Sequence, residues 1–457
     1  MKNLTEGKPG TQILHFAWPM LAGNIFQQLY NVVDSIVIGQ YIGKEALAAV
    51  GASFPFIFAL VSFIIGIAIG STVIIAQYFG AKEVDKVKQA IETLYIFMFF
   101  ASITLTTLGI YFSNGIFGLI SLPADVLPLA VKYFKIYALG FIFFFGYQGT
   151  GAILRGLGDS RTPFYFLAGS TILNIIFDIL FVAEFHWGIE GVAGATVLSQ
   201  AIAFFSIVVY VNKYHSVVSF SPLKMRFSTQ MFKKALKIGF PAGIQQTIVA
   251  VGFMALYRIV NMFGTSTIAA YSIAMRIDSF AVMPAMNFSA ALSTFTGQNI
   301  GAGKMLRVSE GLRATLKMTI TTSIFISTLA IIFADPLMHA FTNDTEVIML
   351  GKQYLYIVSP FYILFSVMFA FSGVLRGAGD TLMPMFFTIL SLWVIRIPVS
   401  YFLSTEIGTK GIWWGIPIAW TVGVSMSWLY FKTGKWKNKA VVKRKIPEDK
   451  SGEQESV

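Results

Sequence analysis

The stretch "ILRGLGDSRTPF" at Ile153–Phe164 has a near copy, "VLRGAGDTLMPM", at Val374–Met385 in the second half of the chain. Both contain Leu-Arg-Gly, then Gly-Asp, then Pro. The shift that carries Ile153 onto Val374 also carries "AQYFGAKE" (Ala76–Glu83) onto "GQNIGAGK" (Gly297–Lys304), and "IGKEALAA" (Ile42–Ala49) onto "FGTSTIAA" (Phe263–Ala270). "WPMLAG" (Trp18–Gly23) and "FPAGIQ" (Phe240–Gln245) match one residue out of step. Several anchors in one register make the chain a duplicated unit.

Composition says what is duplicated. Of the 457 residues, 56% are apolar and only 12% charged, against about 25% charged in a soluble domain. Apolar segments long enough to cross a bilayer recur from end to end, and a span of about 20 residues must satisfy its own backbone by forming a helix. A β-barrel would alternate in segments of about ten residues. We therefore expect an all-α integral membrane protein. Its twelve transmembrane helices fall at roughly 14–38, 49–78, 90–112, 129–150, 162–183, 188–211, 237–261, 266–297, 311–333, 347–373, 384–404 and 411–431.

Six helices per half is an even number, so the two lobes have the same orientation and form a parallel internal repeat about an axis along the membrane normal. The expected organisation is a cytoplasmic N-terminus (1–13), an N-lobe (14–211, spans 1–6), a cytoplasmic linker (212–236), a C-lobe (237–432, spans 7–12) and a basic cytoplasmic tail (433–457), polar and disordered from about Trp436. Two like lobes enclose a central cleft, the architecture of a transporter that works by alternating access.

Charge orients the chain. Lys82, Lys86, Lys88, Arg155, Arg161, Lys224, Arg226, Lys233, Lys234, Lys304, Arg307 and Arg313 fall in the loops that share a side with both termini. The positive-inside rule puts that side, and both termini, in the cytoplasm. The net charge of +12 thus reads as topology and contact with membrane lipid headgroups, not nucleic-acid binding. The start enters the first span without a small-residue cleavage site. The chain has no Cys, which excludes disulfides and thiolate metal sites. Its four His, at 15, 186, 215 and 339, have no metal spacing. "GIAIGST" (Gly66–Thr72) lacks the lysine of a phosphate-binding loop, and no nucleophile–base pair is present, so an enzyme is not expected and no cofactor is implied. The Gly-x-Gly-Asp…Pro motif reads as a tight helix-to-helix turn, with Asp as the cap and Pro opening the next helix.

Ionisable residues at membrane depth are costly and mark functional sites. Asp34 lies deep in span 1. Asp178 lies deep in span 5 with Asn174 one turn earlier, on the same helix face. Two carboxylates and an amide can share a proton or ligate Na+, and Thr196 in span 6 can add a hydroxyl. The C-lobe departs from this symmetry, since Asp34 faces Ala255 and Asp178 faces Val399 at the repeat offset. It is instead expected to bury Arg258, Arg276, Asp278 and Arg396, with Asp278 pairing with Arg258 or Arg396. Phe26 and Tyr30 share a stripe with Asp34. With Gln27 they are candidate substrate contacts, as are Met254, Tyr257, Met275, Met286 and Asn287 across the cleft, because Met and aromatic surfaces repack around varied ligands.

The strings "WPMLAGNIFQQLYNVVDSIVIGQYIG", "AQYFGAKE", "LRGLGDSRTPF" and "FPAGIQQ…AAYSIAMRID" resemble the multidrug and toxic compound extrusion family over about residues 11–432. The resemblance implies a cation-coupled antiporter, driven by H+ or Na+, that exports organic cations and amphipathic drugs from the cell across its inner (plasma) membrane. A monomer is expected, since one chain completes the cleft. One branch of the family keeps its coupling site in the N-lobe, as Asp in span 1, Asn-x-x-x-Asp in span 5 and Thr in span 6. Asp34, Asn174, Asp178 and Thr196 match it residue by residue, and Pro19 matches the family's bending proline. Another branch carries an acidic residue in span 7, where this chain has "QQTIVAVGFMAL". The alternative function is a flippase for a lipid-linked substrate of the same superfamily; its need for a cationic cavity fits the C-lobe arginines and not the acidic pair.

Overall fold

The computed structural model describes residues 3–119, 122–215 and 217–442. Within them the chain is helical with no strand. Its long helices are α1 (Pro9–Val37), α2 (Lys44–Gly80) and α3 (Val84–Leu119). The fourth, α4, is a pair, Leu127–Leu139 and Phe141–Gly156, bent by 50° at Gly140. They are followed by α5 (Arg161–Glu184), α6 (Gly188–Tyr214), α7 (Thr229–Asn261), α8 (Thr265–Gly301), α9 (Met305–Ile332), α10 (Thr345–Gly377), α11 (Leu382–Ile407) and α12 (Thr409–Lys432). The fourth span is therefore broken rather than straight.

Among the described residues, eight helices are long and apolar enough to cross a membrane by length and composition, or nine with the bent pair counted as one span. The helices α1, α8 and α12 fall outside that test. Asn24, Gln27, Gln28, Asn31 and Asp34 dilute α1, and Arg276, Asp278, Asn287, Gln298 and Asn299 dilute α8. In α12, Gly, Ser, Thr and Trp lower the mean hydropathy. Asp34, Asp278, Asn287, Gln298 and Asn299 are buried, so the interior of the bundle replaces lipid as their solvent.

Three cores form. One joins α2–α6 (Ile67, Leu94, Phe134, Ile153, Val192) and a second joins the far halves of α7–α12 (Leu256, Tyr271, Tyr354, Trp413). The third lies at the end that carries both termini and the basic loops, here called the basic end; it joins Leu4, Ile13 and Phe16 to Leu292, Phe295 and Leu375. The opening turns of α1 thus pack in the C-lobe core. Reciprocally, Met231, Ala235 and Ile238 of α7 pack in the N-lobe core. The lobes exchange their first helical turns, and α7 begins at Thr229, inside the stretch expected to be linker.

Glycine sets how close the lobes come. Residues Gly66 and Gly70 of α2 lie backbone to backbone against Gly239 and Gly243 of α7, and a Cβ added at Gly66, Gly70 or Gly239 would strike main chain. The start of the expected tail is also ordered. Lys435–Lys439 forms a 3-10 turn, Trp436 is buried and stacks on Phe431 at 5.2 Å, and Val442 enters the N-lobe core. Aromatic burial outweighs the polar composition there; residues 443–457, expected to be disordered, lie outside the described residues.

Candidate functional site

The two N-lobe carboxylates occupy the same local context. Asp34 sits in the last turn of α1, and the chain then widens into a π-helical turn, Ile38–Ile42, whose first N–H bonds to the Asp34 carbonyl. Asp178 immediately precedes a second π turn, Ile179–Glu184, within α5. A third, Leu390–Arg396 in α11, ends on Arg396. A π turn inserts one residue per helical turn, re-aims the side chains around it, and occurs often at functional sites.

The structure brings Asp34 and Asp178 together, with Asn174 one turn before Asp178 on α5 and Thr196 bonded to Tyr30 one turn before Asp34, and all four are buried. The carboxyls of Asp34 and Asp178 face each other closely enough for one proton to bridge them. The Asp34 Oδ1, both Asp178 oxygens and both polar atoms of the Asn174 amide find no hydrogen-bond partner among the described residues. Unpartnered buried polar atoms in one cluster are rare, because each forfeits its hydration with no return. Thr196 Oγ1 is 2.9 Å from Tyr30 Oη, so the stripe expected on α1 does reach α6. Every donor in the set except the amide nitrogen is an oxygen, the ligand a hard cation prefers. Two carboxylates at this separation repel unless a proton or a cation lies between them.

Sequence reading missed Tyr133 and Tyr137. They stack on one face of α4 with ring centroids 5.9 Å apart, within electrostatic reach of the carboxyl pair. The Tyr137 hydroxyl also meets the side chain of Gln200. The available signal was an i, i+4 pair of tyrosines in a span otherwise rich in Phe and Leu.

In the C-lobe, Asp278 and Arg396 are buried, but Arg258 and Arg276 are exposed. The expected burial of those two arginines is therefore corrected. Both lie close to buried positions on the same helix, so the helical turn carries them off the buried face. Asp278 also makes no ion pair within 4 Å among the described residues. Its two oxygens accept hydrogen bonds from the Tyr354 and Tyr362 hydroxyls instead. Arg396 lies over the Phe253 ring at 5.5 Å, and its Nε has no partner among the described residues.

The expected substrate contacts divide. Phe26 packs edge-on against Phe164 at 5.9 Å, and Gln27 is exposed. Met254 and Met286 are exposed and Met275 is half-buried. Tyr257 packs against Tyr271 at 5.1 Å, inside the C-lobe aromatic core. Asn287 is buried and accepts from Asn24 Nδ2 at 3.1 Å, a bond between lobes. Pro19 is buried in α1 and borders a groove of about 540 Å³ between α1 and α5, lined also by His15, Trp18, Arg161 and Tyr165. None of the expected substrate residues lines that groove.

The repeated turn behaves as its sequence implies on one side. Asp159 Oδ1 accepts from the Thr162 amide at 3.0 Å, capping α5, and His215 Nε2 lies 3.8 Å from Oδ2. Partial burial opposes ionisation of Asp159, but the nearby His215 and the hydrogen bonds from Thr162 outweigh it and draw the carboxyl down to about 2. The twin, Asp380, instead accepts from the Tyr430 hydroxyl of α12.

Comparison with known proteins places this architecture. The MatE family profile matches residues 19–180 and again 241–402, once per lobe. The chain is 32% identical to the probable multidrug resistance protein YpnP of Bacillus subtilis over 435 residues, covering 95% of this chain and 97% of that protein. It is 27% identical to the probable multidrug resistance protein NorM of Thermotoga maritima, covering 95% and 94%. A solved outward-facing multidrug resistance MATE transporter of the MOP superfamily superposes with a TM-score of 0.90 at 22% identity, over 96% of this chain and 99% of that one. A MOP superfamily transporter from Pyrococcus furiosus, described as having a binding pocket of reversed polarity, superposes with a TM-score of 0.88 at 22% identity, over 95% and 98%. These likenesses fix the fold as two lobes of six transmembrane helices. By profile, sequence and fold the chain belongs to the MatE family of multidrug and toxic compound extrusion proteins, which are transporters and not enzymes.

Proposed function

We propose that this drug efflux transporter is an antiporter that exports organic cations and amphipathic compounds in exchange for H+ or Na+, with its basic end in the cytoplasm and its working unit a monomer in the inner (plasma) membrane. The observation that carries the coupling reading is the buried, facing pair Asp34 and Asp178, of which Asp34 Oδ1 and both Asp178 oxygens lack donors among the described residues. One proton bridging the two carboxyls removes their repulsion. Alternatively, Asp34, Asp178, Asn174 Oδ1 and Thr196 Oγ1 would hold Na+. The Thr196 hydroxyl can donate to Tyr30 and keep a lone pair for the ion. Binding relieves the repulsion at the junction of α1 and α5, where both helices carry π turns, and the bend available at Pro19 transmits the change along α1. A cationic substrate competes for the same negative charge, which is what exchange requires.

The test is efflux of ethidium from proteoliposomes under a pH gradient and then under a Na+ gradient, for wild type, Asp34→Asn and Asp178→Asn. The proposal expects one gradient to drive efflux and either substitution to abolish the coupling. Efflux that survives both substitutions moves the coupling site elsewhere. Failure of both gradients to move the dye removes the antiporter reading in favour of a flippase.

A further inference from the structure

The motif that opens the sequence is repeated for a reason that the coupling site does not explain. Helices α4 and α10 end at Gly156 and Gly377, the matching glycines of the two Leu-Arg-Gly copies. Carbonyls in the last turn of a helix have no donor within the helix. Here the terminal glycine carbonyl of each helix is served from the opposite lobe. Gln77 of α2 donates its Nε2 to the Gly377 carbonyl at 2.9 Å, and Gln298 of α8 donates its Nε2 to the Gly156 carbonyl at 3.1 Å. Gln77 and Gln298 are themselves twins, the second residues of "AQYFGAKE" and "GQNIGAGK". The repeat thus builds one pseudo-two-fold pair of bonds across the lobe interface at the basic end. Both glutamines are fully buried, with 0% exposure each.

Beside them, Gly80 lies against the backbone of Gln298 and Gly301 against the backbone of Gln77, again related by the repeat. A side chain at either glycine would strike main chain. The bonds therefore depend on the helices α2 and α8 touching, and the touching depends on the glycines.

The free oxygen of each glutamine is taken by a chain terminus. Gln298 Oε1 accepts from the Leu4 amide at 3.0 Å, and Gln77 Oε1 accepts from the Val441 amide at 2.7 Å. Each terminus is anchored on the lobe to which it does not belong. The N-terminal segment is held by C-lobe side chains. Asn299 Nδ2 donates to the Leu4 carbonyl at 3.2 Å, Lys304 Nζ to the Thr5 carbonyl at 2.9 Å and Arg307 Nη2 to the Gly7 carbonyl at 3.0 Å, while the Leu4 side chain is buried. The C-terminal segment crosses the other way, and Val442 packs into the N-lobe core. The hydrogen bonds between lobes run from mid-membrane, at Asn24–Asn287 and Ser62–Thr247, to this end.

We propose that Gln77 and Gln298 are the gate residues of the basic end, and that the two crossed termini act as straps that hold the gate shut. This inference rests on the alternating-access reading. Opening the basic end must break both glutamine–glycine bonds together, because one rigid separation of α2 from α8 removes both. It must also release each strap from its glutamine or stretch it across the gap. A buried amide stripped of its partners is costly, so the closed gate is held cooperatively and opens as one event. The straps add to closure without touching substrate.

The absence of native Cys makes the test clean. Ala76, fully buried beside the gate, is replaced by Cys in the full-length transporter, and its alkylation by a membrane-impermeant maleimide is timed in nanodiscs. Adding Gln77→Ala or Gln298→Ala should raise the labelling rate about tenfold each, the scale on which loss of one buried hydrogen bond acts. Shortening either strap, by removing residues 1–7 or by removing residues 440–457, should raise it severalfold with both glutamines intact. The strap variants keep the test decisive if a glutamine variant does not fold. Unchanged labelling in the folded glutamine variants and in both strap deletions overturns the gate. Faster labelling together with dye efflux that ignores Asp34→Asn and Asp178→Asn leaves the gate standing and removes only the coupling reading.

Discussion

Tyr30 and Thr196 share a hydroxyl–hydroxyl bond of 2.9 Å that ties α1 to α6 one turn from Asp34. Both groups are in the N-lobe, so the bond fixes the part of α1 that carries the carboxylate, while the opening turns of that helix belong to the C-lobe core. Tyr30→Phe removes this tie and leaves the ring in place. It is expected to destabilise the detergent-solubilised protein by about 1 kcal/mol, read as a lowered thermal unfolding temperature. A matching loss in Thr196→Val, with no further loss in the double variant, would show that the two hydroxyls act as one unit.

Asp278 depends on two phenols. Tyr354→Phe or Tyr362→Phe leaves a buried carboxylate with one donor, at a cost of roughly 1–3 kcal/mol each. The double variant is expected to lose more than the sum, since Arg396 lies nearby without a direct ion pair to compensate. Thermal unfolding of the three variants in one detergent measures this, and an additive result would show that the tyrosines act independently.

The crossing of α2 and α8 tolerates no side chain at Gly80 or Gly301. Gly80→Ala and Gly301→Ala are expected to destabilise the closed form by about 1–3 kcal/mol, the usual cost of overpacking. Gly169→Ala in α5 serves as control, because a Cβ there meets open space and helix propensity favours Ala by up to about 1 kcal/mol. Unfolding temperatures should fall for the first two and hold or rise for the third.

Asp159 gives a pH dependence with a definite sign. Its carboxyl is drawn from 3.8 to about 2 by the nearby His215 and the hydrogen bonds from Thr162, which outweigh burial. A depressed carboxylate contributes stability that is fully present above its unfolded value and lost as the pH falls through its folded one. The deficit of Asp159→Asn relative to wild type should therefore be present at about pH 5 and should shrink below about pH 4, the range in which the carboxyl takes up its proton. Unfolding temperatures of the two proteins across that range test it.

Much of this molecule is legible in one dimension. Twelve apolar segments, the constant register of the repeat and the distribution of Lys and Arg lead to two parallel six-helix lobes, because a membrane leaves the backbone no alternative to helix and duplication leaves its spacing in the chain. Asp34, Asn174, Asp178 and Thr196 could also be singled out, since a polar group at membrane depth is conspicuous against its neighbours. Other features were not legible. Arg258 and Arg276 look buried in sequence and are exposed, because the face a residue presents depends on which neighbour its helix packs against. Tyr133 and Tyr137 reach the carboxyl pair only through the way α4 packs in the N-lobe, which their i, i+4 spacing does not reveal. The tail reads as polar, yet Trp436 is buried against Phe431 of its own lobe and Val442 reaches the core of the other. The repeated Leu-Arg-Gly could be recognised as a turn, but the partners of its carbonyls, Gln77 and Gln298, lie one lobe away. Residue order alone carries what is local and periodic: helix, span, repeat and the cost of a buried charge. Pairing across the interface belongs to the folded molecule, since hydrogen bonds between residues 142 or 300 positions apart depend on how the lobes meet and leave no mark in either segment alone.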